Sequence, residues 1–120
     1  MSNITDALPI SVKDLKQHAT GIPDYKKFKD VKSEISDNRY TISETGYINF
    51  YIGTISQTDG YILLCWDDSE TEYIRIAQCG WPEFVSEERY SAAGVVYVEK
   101  GMHLVFHDCE CIELKFIPIK

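Results

Sequence analysis

Apolar and polar positions alternate most clearly over residues 94–117, GVVYVEKGMHLVFHDCECIELKFI. Period-two alternation rich in β-branched and aromatic residues marks strands, and this stretch predicts three in succession. Lys100-Gly101 is the first turn, with Gly101 supplying the φ > 0 that a type I′ hairpin requires. Tyr97 then faces Leu104, and Val95 faces Phe106. A three-residue loop, Asp108-Cys109-Glu110, closes the second turn. It pairs Phe106 with Ile112, Leu104 with Leu114 and Met102 with Phe116. A slip of one residue would place charge on the apolar face. The expected covered face is therefore Val95, Tyr97, Met102, Leu104, Phe106, Ile112, Leu114 and Phe116.

Upstream the period changes. Ser11 is placed to cap a helix carrying Val12, Leu15 and Ala19 on one face, with Gly21 just past its end. After Ile22-Pro23, Asp24 is placed to cap a second helix. Tyr25, Phe28, Val31 and Ile35 form its apolar stripe, and Lys26, Lys27, Lys29 and Lys32 its solvated side. Asp37-Asn38 reads as a turn, and residues 40–43 and 48–55 as strands. Residues 56–60 form a turn ending in Asp59-Gly60. Residues 61–66 are apolar on both faces, which places them centrally in a sheet. Residues 73–79 return antiparallel across the acidic loop 67–72, setting Trp66 beside Tyr73 and Leu63 beside Ile76. Gly80-Trp81-Pro82 ends that strand and opens a short helix to Tyr90. Two helices followed by about six strands predict an α+β fold: two N-terminal helices packed on an antiparallel sheet or partial barrel, in one domain spanning 1–120.

Charge adds a second layer. The net charge is −7, unevenly laid out. Residues 1–40 hold seven Lys/Arg against six Asp/Glu, and residues 41–120 hold five against thirteen. Such a surface disfavours phosphate backbones and anionic membranes and favours a basic protein. Apolar runs fall far short of the ~20 residues that cross a bilayer, and the first residues carry no secretory pattern. Cys65, Cys79, Cys109 and Cys111 read as free thiols in a reducing, cytoplasmic setting.

Candidate chemistry is sparse. His103, His107, Cys109 and Cys111 suggest a metal or a thiolate–imidazole pair. On a strand, however, the two histidines stand about 13 Å apart, and Cys-x-Cys alone is poor zinc spacing. No Gly-rich phosphate loop, nucleophile elbow or zincin helix is present. The sequence predicts a non-enzymatic protein without metal or cofactor. Asp67, Asp68, Glu70 and Glu72 crowd one loop, with Trp66 and Tyr73 at its base. That pairing of carboxylates and aromatics suits contact with a basic partner. Glu83/Glu87/Glu88 and Asp108/Glu110/Glu113 are the other acidic groups.

In size and charge the chain resembles the small acidic immunity proteins that sequester toxic nuclease domains, as in contact-dependent growth inhibition. The resemblance lies in overall character. It implies a toxin domain as the basic partner and assigns no residues. The alternative reading is a small enzyme or metalloprotein centred on His103, His107 and Cys111.

Overall fold

The computed structural model describes residues 21–54, 59–80 and 91–120. Among these residues eight strands carry the fold: β1 (Lys29–Asp30), β2 (Arg39–Thr41), β3 (Gly46–Thr54), β4 (Gly60–Cys65), β5 (Tyr73–Cys79), β6 (Ser91–Val98), β7 (His103–His107) and β8 (Cys109–Pro118). They form two antiparallel sheets, ordered β1-β8-β3-β6 and β2-β7-β4-β5.

The orders follow one rule. First pairs with last, second with seventh, third with sixth and fourth with fifth. The described strands thus pair as one long hairpin with its tip at the β4–β5 loop. Its arms alternate between the two sheets, and the β8–β3 and β7–β4 ladders stitch the result together. This is the connectivity of an eight-stranded jelly roll.

The core lies between the sheets. Ile48, Phe50, Leu114 and Phe116 project from one, and Ile62, Leu64, Leu104 and Phe106 from the other. β3 shows the cause locally: Ile48, Phe50 and Ile52 alternate inward while Tyr47, Asn49 and Tyr51 alternate outward. The inner strand β4 is buried along both faces, as its unbroken apolar run predicts. Its outward residues Leu63 and Cys65 join Val105 and Tyr61 in a second, smaller cluster outside the β2-β7-β4-β5 sheet.

Several expectations are corrected. The α+β assignment is wrong: the described fold is two four-stranded sheets. The helix expected over 11–20 and the one expected from Pro82 lie outside the described residues. The Lys-rich helix after Asp24 does not form. Single 3₁₀ turns at Tyr25–Lys27 and Lys32–Glu34 flank β1 instead. The backbone of this segment adds to the edge of β8, with Asp24 N donating to Pro118 O at 2.8 Å and Val31 N to Leu114 O at 2.9 Å. Pairing to an open sheet edge overrides lysine's helix propensity. Only Val31 of the expected stripe reaches the core interior; Tyr25 and Phe28 are exposed.

The meander is also wrong, although its three strands exist. β6, β7 and β8 lie in alternate sheets and do not pair with one another. Gly101 is left-handed (φ 95°), but Lys100 is not. A type I′ hairpin needs both, so this turn passes the chain to the other sheet. Between β7 and β8 a single left-handed residue, Asp108 (φ 50°), makes the corner. Gly60 packs directly beneath it: a Cβ there would stand 2.7 Å from Asp108 O. Leu104, Phe106, Leu114 and Phe116 do face the core, but Val95 and Tyr97 are exposed and Val98 is buried in their stead. Ile112 is the extra residue of a bulge opposite Tyr51/Ile52, so Cys111 packs against the core where Ile112 was expected.

Candidate functional site

The acidic loop is the tip of the rolled hairpin. Trp66 N donates to Glu72 O at 3.3 Å, closing a turn that spans both ends of the loop. Asp67 shapes its first half, accepting from Ser69 N at 2.9 Å and from the Ser69 hydroxyl. These two bonds hold the Asp67 carboxyl below its usual range. The Ser69 hydroxyl also meets Thr71 Oγ1 at 2.8 Å.

The second half is anchored from β2 and β7. Asp37 and Asn38 are both left-handed, at φ 53° and 60°, and form the two-residue turn that launches β2. That turn delivers Arg39, whose guanidinium donates to Glu70 at 2.7 Å and lies 3.5 Å from Asp68. Glu70 is itself left-handed (φ 56°), a conformation that is costly for a non-glycine residue unless its surroundings enforce it. His103, on the central strand β7, is buried. Its Nε2 lies 2.8 Å from Asp68 and its Nδ1 3.0 Å from Thr41 Oγ1. Nε2 faces the carboxylate, and Nδ1 shares a hydrogen bond with the threonine hydroxyl. The loop is thus fixed through Glu70, Arg39 and Asp68 to the buried imidazole of His103, which Thr41 contacts from β2.

Of the six residues expected to bind, all belong to this tip, but they are not alike. Asp68 and Glu70 are held by Arg39, which offsets part of the repulsion among the four carboxylates. Asp67 is tied to Ser69, and Glu72 is exposed. The aromatics are both exposed, Trp66 at 45% and Tyr73 at 52%. They do not face each other: Tyr73 pairs with Cys65, and a bulge at Ile62/Leu63 shifts the expected register by one. Alternation then places Trp66 on the face of Leu64 and Ile74, and Tyr73 on the outer face. Ile74, also exposed, lies on the same face as Trp66 by this alternation, and the Leu63–Ile76 pairing becomes Leu63–Arg75. Arg39, His103, Ser69 and Ile74 are the site residues that sequence reasoning missed. Trp81 and Glu83/Glu87/Glu88 lie outside the described residues.

The His103/His107/Cys111 constellation does not converge. Both histidines stand on the outer face of the β2-β7-β4-β5 sheet, whereas Cys111 belongs to the other sheet and packs against the central core. His103 is committed to Asp68 and Thr41. His107 stacks on Tyr61 (centroids 4.8 Å apart, 17° between planes), and Arg75 lies 4.1 Å from the same ring. Among the described residues, no three His, Cys, Asp or Glu side chains are placed to hold a metal ion.

All four cysteines are unbonded. Burial pushes the Cys109 thiol up to about 12 and the Cys111 thiol up to about 11, and it also raises Cys65 and Cys79. Thiols that ionise so late are poor nucleophiles at neutral pH. Alkylation of the native protein is expected to be slow, whereas denaturation without reductant exposes four reactive thiols by intact mass. A mass showing two protected thiols would mean a disulfide. The raised values also set a pH dependence. These thiols ionise more readily unfolded than folded, so their contribution is intact below about pH 9 and declines as pH rises through about 11 and 12. Urea midpoints measured across that range should fall, and fall less in Cys109→Ala.

No helix among the described residues is long and apolar enough to cross a membrane. Compared with known proteins, the chain matches no family model, no curated protein and no solved structure.

Proposed function

We propose that this chain is a non-enzymatic binding protein whose acidic hairpin tip engages a basic protein. One observation carries the reading: the tip is built to hold its shape. Two serine-to-aspartate bonds, an arginine bridging two carboxylates and a buried histidine fix seven residues that carry little of the core. Holding a recognition loop in its bound form lowers the ordering cost of association. The charge steers a basic partner inward, and Trp66 with Ile74 supplies an apolar centre beside a carboxylate rim.

Within this reading, the basic partner is a toxic nuclease domain and the chain is its immunity protein, acting in the cytoplasm. The net charge of −7 supports this, since a nuclease surface that accepts a phosphate backbone also accepts a carboxylate-rich tip. The test is affinity capture from the native host with wild-type and Glu72→Lys baits, read by quantitative mass spectrometry. A basic protein held by the wild type and lost with Glu72→Lys is expected. Equimolar addition of the chain should then abolish that protein's cleavage of DNA or RNA. Capture unaffected by the substitution removes the tip from the interface, and undiminished cleavage removes the immunity assignment.

A further inference from the structure

We propose that β6 is an open sheet edge that pairs with β6 of a second copy of this chain, antiparallel and about a two-fold axis. Each sheet ends in two edge strands, and three of the four are blunted. β1 is two residues long and both are charged; β2 is three residues long and begins on Arg39. β5 carries Arg75 and the bulged residue Ile76, which interrupts its ladder with β4. Short length, charge and bulges are the devices that keep an edge from pairing with another molecule. β6 has none of them. It is eight residues long, uncharged and without proline, and its ladder with β3 runs unbroken from Ser91 to Val98. Among the described residues it pairs with β3 only. Its outer side chains are open as well, Val95 at 51% and Tyr97 at 47%.

The side-chain pattern selects the occupant. Odd-numbered residues of β6 face outward and even-numbered ones inward. A pairing strand must keep each set on its own face. A two-fold axis that sets Val95 opposite itself does so. Tyr97 then lies opposite Ala93, Val98 opposite Ala92 and Val96 opposite Gly94, so that each larger side chain away from the axis meets a small one. Centring on Val96 instead crowds Tyr97 against Val95 and brings Glu99 into the ladder; centring on Gly94 drops Val98 from it. A strand graded from small residues to large is complementary to its own reverse, and an antiparallel copy supplies that reverse by symmetry. Two copies each carrying a charge of −7 repel, and an uncharged strand lets them meet without setting like charges opposite. The pairing rests on β6 alone, so it stands or falls independently of the function proposed above.

The test is sedimentation velocity of the full chain over a concentration and salt series. The expected result is a dimer that grows with concentration and tightens as salt screens the net charge. Val95→Lys and Val95→Glu should each hold the chain monomeric at unchanged circular dichroism, because like charges then face each other across the axis. An equimolar mixture of the two variants should restore the dimer, since opposite charges then meet. Glu72→Lys should leave the dimer intact. A monomer at every concentration overturns the proposal, because the edge is then closed or serves another partner. So does a dimer indifferent to both Val95 substitutions, one lost in each variant and not restored by mixing, or one abolished by Glu72→Lys. Assembly that continues beyond two copies also overturns it, since a closed two-fold pairing stops at two.

Discussion

Leu104→Ala is expected to destabilise the protein by about 2–5 kcal/mol, the usual range for emptying a fully buried leucine site. Leu104 is fully buried on the central strand β7, with β2 on one side and β4 on the other. Neither neighbour can collapse into the space without breaking a ladder. Val95→Ala should shift stability by no more than about 0.5 kcal/mol, because Val95 looks outward from β6. A β6–β7 hairpin would place these two side chains on one covered face and give them similar costs, so the pair separates the two topologies. His103→Ala falls between them, at about 1–3 kcal/mol, because it removes a buried group bonded at both ring nitrogens. Urea denaturation followed by circular dichroism measures all three. A Val95 cost matching that of Leu104 would falsify the assignment of β6 and β7 to different sheets.

The strands were legible in the sequence; their partners were not. Residues 48–55, 61–66 and 73–79 announce themselves by alternation or by unbroken apolarity, and the Asp37-Asn38 turn by its residue types. Those signals are local. In a rolled hairpin only β4 and β5 pair with a sequence neighbour, and there the expected hairpin forms, shifted by a bulge. Elsewhere the pairing is remote, and Lys100-Gly101 or Asp108 looks the same whether it reverses the chain within a sheet or hands it to the other. Segment 24–35 misleads for a related reason. Its spacing of three and four suits a helix, but a 3₁₀ turn repeats every three residues, and the open edge of β8 takes up the backbone between two such turns. The acidic tip stood out because its carboxylates are contiguous. Its anchors did not, since Arg39 and His103 each lie about thirty residues away along the chain. The one available signal for His103 was a lone polar residue entering an apolar run beside Leu104.

If the proposed basic partner is correct, Arg39→Ala should accelerate association with it while also accelerating dissociation. Removing the guanidinium makes the tip more negative, which strengthens long-range steering. The same change frees Glu70 from its 2.7 Å contact and leaves Asp68 held by His103 alone, so the second half of the loop must be ordered on binding and the complex is shorter-lived. Trp66→Ala is expected to act on dissociation alone, by about 2 kcal/mol if it fills the centre of the contact. That corresponds to a roughly thirtyfold shorter residence time. Glu72→Lys should act mainly on association, with a shallower dependence on salt. Stopped-flow and surface-binding kinetics across a salt series distinguish the three signatures. If Arg39→Ala slows association and leaves dissociation untouched, the Arg39 charge is itself what steers the partner in. The facing surface is then acidic, and the proposal of a basic partner fails.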